Sequence, residues 1–124
     1  MRVFKNSWFQ RFAKKEGITD EVLLEAVTRA EQGLIDADLG GGVIKQRIAK
    51  QGKGKSSGYR SIIIFKKGDK AFFVFGFPKN QRQNISEEEL AAFKKLAKEV
   101  FKLSDELIVA AIANGTWIEV SIDE

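Results

Sequence analysis

YRSIIIFKKGDKAFFVFGFP, residues 59–78, holds two apolar runs either side of a polar turn. Tyr59–Phe65 and Ala71–Phe77 are rich in β-branched and aromatic residues, which favours strands. The turn Lys67-Gly68-Asp69-Lys70 makes them a hairpin. Neither run alternates with polar residues, so both strands are expected to be covered on both faces. Upstream, Val43–Ala49 alternates loosely: Val43, Ile44 and Ile48 are apolar, Lys45 and Arg47 are not. It predicts a third strand. Between them lies Lys50–Gly58 (KQGKGKSSG), read as a flexible loop.

Helices flank this block. Asn6 or Ser7 caps a short helix through Trp8, Phe9 and Phe12, which Gly17 ends, after a brief strand at Val3–Phe4. Thr19 caps a second helix, with Asp20 and Glu21 in the first turn and an apolar stripe from Val22 to Ala30. Gly33 is its stop. Leu34–Gly42 (LIDADLGGG) is turn-rich and is expected to be a loop. Downstream of Pro78, Ser86-Glu87-Glu88-Glu89 is a capping box, with Ile85 and Leu90 at the staple positions. Leu90, Phe93, Leu96, Ala97, Val100 and Phe101 line one face of that helix. Ser104 caps Asp105–Ala113, which ends at Asn114-Gly115. The tail Thr116–Glu124 alternates and is read as an edge strand or a surface segment.

This order describes an α+β domain: a small, mainly antiparallel sheet with helices packed against it. Its 124 residues, 44% hydrophobic with ten Phe, are enough for one core. Residues 1–115 are expected to form the domain and 116–124 an acidic tail or edge strand. No stretch is long and apolar enough to span a membrane, so a cytoplasmic protein is expected.

There is no Cys and no His. Thiolate nucleophiles, imidazole bases and the usual zinc ligands are therefore excluded. The acids are scattered over helix surfaces, and neither a metal site nor a cofactor is expected. Gly54-Lys55-Ser56 matches the end of a phosphate-loop motif. However, Ala49 stands where its first glycine belongs, and a strand follows instead of a helix.

The charge is concentrated. Residues 43–82 hold eleven Lys and Arg against Asp69 alone, a net +10, while the other 84 residues carry a net −6. A polyanion partner for one face is the functional reading, and a solvated basic surface the plain one. Glycine spacing lets backbone approach a phosphate, and Lys50, Lys53 and Lys55 would neutralise it. Arg60 opens an apolar strand, which would hold its fork rigidly for bidentate phosphate contact or for a structural ion pair. Lys45 and Arg47 in the neighbouring strand can share that face. Tyr59 is read as packing, with its hydroxyl free for a nucleic-acid contact. Lys79, Asn80, Arg82 and Asn84 form a second polar patch between strand and helix, where sites commonly lie. Trp8 and Trp117 are read as core.

IKQRIAKQGKGKSSGYR (44–60), the strands closing on Gly76-Phe77-Pro78-Lys79-Asn80, and ISEEELAAFKKL (85–96) together resemble the RelE/HigB superfamily of bacterial toxins. The similarity is to the HigB-like branch with G-K-G-K-S-x-G-Y-R and covers roughly residues 1–103. It implies a small helix-covered sheet and a toxin that enters the ribosomal A site. There the toxin cuts messenger RNA by attack of the 2′-hydroxyl on the adjacent phosphate. It also implies a cognate antitoxin partner. Carried over by position, Arg60 is the phosphate-stabilising arginine, Lys53 and Lys55 are the basic residues of the loop, and Lys79 belongs to a second basic patch. Asn80 stands where relatives often have arginine. Near the last helix, Asn84, Ile85 and Ser86 replace a tyrosine or histidine, which leaves the general base unassigned. A non-catalytic RNA- or ribosome-binding module and a ParE-like gyrase poison remain as alternatives.

Overall fold

The computed structural model describes residues 1–49 and 58–121. Its elements in chain order are β1 (Arg2–Asn6), α1 (Ser7–Glu16), α2 (Asp20–Glu31), β2 (Ala37–Gly40), β3 (Val43–Ile48), β4 (Tyr59–Lys66), β5 (Lys70–Pro78), α3 (Glu87–Val100), α4 (Asp105–Ala113) and β6 (Trp117–Glu119). The strands form one sheet in the order β2-β3-β4-β5-β1-β6. β1 runs parallel to β5, and the other pairs are antiparallel.

Side-chain parity splits the core in two, because successive strand residues face opposite ways. Ile44, Ile63 and Phe73 point to α1 and α2, where they meet Phe9, Leu23 and Ala26. Val43, Ile62, Ile64 and Phe72 point to α3 and α4, where they meet Ala97, Val100 and Ile108. Ile63, Ile64 and Phe73 have no exposed surface; burial of each such side chain contributes about 1.5–3 kcal/mol. Two-sided burial is why β4 and β5 do not alternate in sequence.

The caps behave as their chemistry dictates. The Asn6 side chain accepts from the Phe9 N–H at 2.8 Å, and Gly17 ends α1 in the left-handed region at φ 71°. Ser86 and Glu89 complete the capping box of α3.

One finding departs from the sequence reading. Leu34–Gly42 is not simply a loop: Ala37–Gly40 forms an edge strand against β3. Gly41 and Gly42, at φ 63° and 84°, make the tight turn that returns the chain. Positive φ at both centres matches the right-handed twist of the strands. Of the two readings of the tail, the structure shows the edge strand: β6 pairs with β1, and Trp117 and Val120 are buried.

One irregularity positions the site. Ile62 faces Phe75 and Ile63 faces Phe73, so Val74 is an extra residue in β5. Such a bulge shifts the phase of the strand residues beyond it. It puts Phe75 and Phe77 on the α3 face, beside Ile62 and Arg60. The Val74 carbonyl accepts a hydrogen bond from the Asn6 side chain at 3.2 Å.

Candidate nucleic-acid interface

α3 covers only part of its sheet face. Beyond its N-terminal end the strands present a cross-strand row, Arg47 on β3, Arg60 on β4 and Phe77 on β5. Lys45 occupies the next row on the same face. Asp36, Lys45, Arg47, Arg60, Lys79 and Gln83 line a cleft of about 450 Å³ here. Lys79 is held at its edge, its N–H donating to the Gly58 carbonyl at 3.0 Å.

Like charges directly opposite in an antiparallel pair destabilise the sheet. Arg47 and Arg60 are such a pair. Asp36 offsets one of them: its Oδ2 accepts from the Arg47 backbone N–H at 2.6 Å, and its Oδ1 lies 3.6 Å from the Arg47 Nε. Among the described residues Arg60, Lys45 and Lys79 have no carboxylate within ion-pair distance. Among the described residues no carboxylate neutralises Arg60, and a guanidinium fork in that state suits an anion.

Arg82 differs. Its guanidinium makes a fork-to-fork ion pair with Glu89, and its Nε donates to the Asn84 carbonyl at 3.0 Å. It also lies over the rings of Phe75 and Phe77, 5.7 and 5.2 Å from their centroids. The Arg82 hydrogen bonds, followed by that from the Ser86 backbone, pull the Glu89 carboxyl down to about 2. Arg82 therefore fixes the loop from β5 to α3 beside the cleft, with its charge already matched. Asn84 is turned to its own backbone, accepting from the Ile85 N–H at 2.9 Å. Asn80 is exposed in the turn after β5.

Tyr59 packs as expected, but its hydroxyl is not free for a nucleic-acid contact. Its parity turns it to the α1 face, where it is 3% exposed and its hydroxyl donates to Glu16 Oε1 at 3.0 Å. Burial, and then the bond to Glu16, raise its pKa above the usual tyrosine value. It is unable to touch a ligand in the cleft. Trp8 is a correction in the other direction: 36% exposed, it sits outside the core at the end of β5, 4.6 Å from Phe75 and 5.3 Å from Phe12 between ring centroids. Lys50, Lys53 and Lys55 lie outside the described residues.

Sequence reasoning missed Asp36 and Gln83. The Gly-Gly turn signal at 41–42 was the available clue, since a hairpin there brings the segment before β2 next to β3. Among the described residues no group of acids is placed to hold a metal ion, and no helix is long and apolar enough to cross a membrane.

A family model described as the RelE toxin of the RelE/RelB toxin–antitoxin system matches residues 1–120. The match extends past residue 103, where the sequence resemblance stopped, and takes in α4 and β6. No curated protein matches the chain.

Proposed function

The chain belongs to the RelE toxin family, a toxin component of a toxin–antitoxin system, and from this we propose that it is a ribosome-dependent messenger-RNA endonuclease working in the cytoplasm. Family membership implies a cognate antitoxin. The observation that carries the endonuclease reading is Arg60: rigid on a core strand, opposite Arg47, and without a carboxylate partner among the described residues.

The chemistry stems from that placement. When a 2′-hydroxyl attacks the adjacent phosphate, negative charge builds on the non-bridging oxygens of a five-coordinate phosphorus. A guanidinium fork fixed at that point stabilises this charge without reorganising, and removing one such donor typically costs about 100- to 1000-fold in rate. Arg47 and Lys45 hold the flanking phosphates, with Lys79 at the edge of the cleft. Lys53 and Lys55, clustered in a chain without His, would act at the same phosphate, Lys55 on its charge and Lys53 as an acid or base. Arg82, Asn80 and Asn84 border the RNA path.

The test is inducible expression in a bacterium, with primer extension on a translated message. The parent is expected to arrest growth and cut within translated codons, and Arg60→Ala to lose both. Neither arrest nor cleavage by the parent would make the protein a non-catalytic RNA or ribosome binder, and arrest without cleavage would point to gyrase.

A further inference from the structure

We propose that Asp36 is the general base of this reaction, the group that takes the proton from the attacking 2′-hydroxyl. The inference rests on the endonuclease reading and fills its open position. The chain has no His, and its one Tyr is turned to the opposite face of the sheet. Asp36 is the carboxylate that lines the cleft with Arg60, Arg47, Lys45 and Lys79.

The fold spends a buried polar network on holding it there. Gln46 is fully buried. Its Oε1 accepts from the Asp36 N–H at 3.0 Å, and its Nε2 donates to the carbonyls of Ala26 and Leu34 at 3.1 and 3.0 Å. A buried amide is tolerated only when its bonds are made, and here they tie α2 and the residues before β2 to β3. On the Asp36 side chain, Oδ2 is occupied by the Arg47 N–H. Among the described residues, Oδ1 has the Arg47 Nε at 3.6 Å, beyond hydrogen-bond reach, and no hydrogen-bond donor. A base whose backbone and one oxygen are both anchored is preorganised.

The step balances with groups already in the cleft. The proton of the 2′-hydroxyl passes to Asp36 Oδ1 as the 2′-oxygen bonds to phosphorus. The bond from phosphorus to the 5′-oxygen breaks, and that oxygen takes a proton from the Lys79 ammonium. The products are a 2′,3′-cyclic phosphate and a 5′-hydroxyl. Solvent then restores both protonation states. The cations that line the cleft with Asp36 are Lys45 and Arg47 from β3, Arg60 from β4 and Lys79 after β5.

The experiment is single-turnover cleavage of a message on programmed ribosomes by the full chain across a pH series, with ribosome binding measured in parallel. Asp36→Asn keeps an acceptor for the Arg47 N–H yet takes up no proton. It is expected to cut at least about 100-fold more slowly while binding ribosomes as the parent does, and Asp36→Glu is expected to recover part of the rate. The parent rate should fall on the acid side, because a general base works only in its deprotonated form. Asp36→Asn cutting as fast as the parent, or losing binding and cleavage together, would overturn the assignment. So would a parent profile that is flat on the acid side, a result that needs no variant to fold. A parent that fails to cut at all would bring down the endonuclease reading itself, and Asp36 with it.

Discussion

Arg60 and Arg82 are both arginines at the edge of one aromatic-lined sheet face, yet their surroundings give them opposite duties. Arg60 faces Arg47, so its charge is available to a phosphate. Arg82 is spent on Glu89, so its contribution is to the loop. The pH dependence of stability tests the second statement. The Glu89 carboxyl is at about 2 in the fold against 4.5 ordinarily. The unfolded chain therefore binds the proton first, and stability is fully present above about 4.5 and is lost as pH falls toward 2. Glu89 is partly exposed, which leaves the gain under about 1 kcal/mol after screening. Urea unfolding at a series of acid pH values should show a shallower loss for Glu89→Gln than for the parent. At neutral pH Glu89→Gln should already be the less stable of the two. Arg60→Ala should be neutral or slightly stabilising in the same assay, because it removes a like-charge pair, although it is expected to abolish cleavage.

Elements were legible where one local signal sufficed. The capping box at Ser86 is such a signal, and the Ser86 hydroxyl does accept from Glu89 N–H at 3.1 Å. Ser86→Ala should cost about 1 kcal/mol, seen as a fall of about 3–5 °C in the melting temperature. The unbroken apolar runs of β4 and β5 likewise announced two-sided burial. Other features were not legible, because each depends on residues distant in the chain. β2 is a short edge strand with mixed polarity, and only its pairing with β3 defines it. The bulge at Val74 is invisible in AFFVFGFP, yet it decides that Phe77 joins Arg60. The Tyr59 hydroxyl was misplaced because parity in β4 puts it one residue, and hence one face, away from Arg60. The sequence grouped Lys45, Arg47, Arg60 and Lys79, and the fold brings them to one cleft. The carboxylate there was not legible, since Asp36 reaches the cleft only through Gln46 and the hairpin. The hairpin also packs on α3. A Cβ on Gly42 would sit 2.5 Å from the Phe101 ring at a φ of 84°, whereas one on Gly41 would meet only the Lys94 chain at 3.2 Å. Both substitutions carry a left-handed backbone cost of about 1–2 kcal/mol. Gly42→Ala should therefore lower the urea midpoint clearly more than Gly41→Ala.

For the whole molecule the separation of charge matters more than its total. A net +4 is modest for a polyanion binder. Folding sharpens it by collecting Lys45, Arg47, Arg60 and Lys79 around one cleft, while acids occupy helix starts such as Glu87–Glu89 and Asp105–Glu106. Those acids are stabilising where they are, at the positive ends of helix dipoles, and Glu89 is already paired with Arg82. Binding to a single-stranded message should then behave as a local event of a few phosphates rather than as attraction to the whole chain. Each neutralised phosphate contributes about 0.7 to the slope of log affinity against log salt. Arg47→Ala and Lys79→Ala should each flatten that slope by about 0.7, in fluorescence anisotropy with a short labelled RNA across a salt series. Lys14→Ala, which removes the same charge from the exposed surface of α1, should leave the slope unchanged. If all three variants flattened it equally, binding would follow net charge alone, and the cleft would not be where the RNA sits.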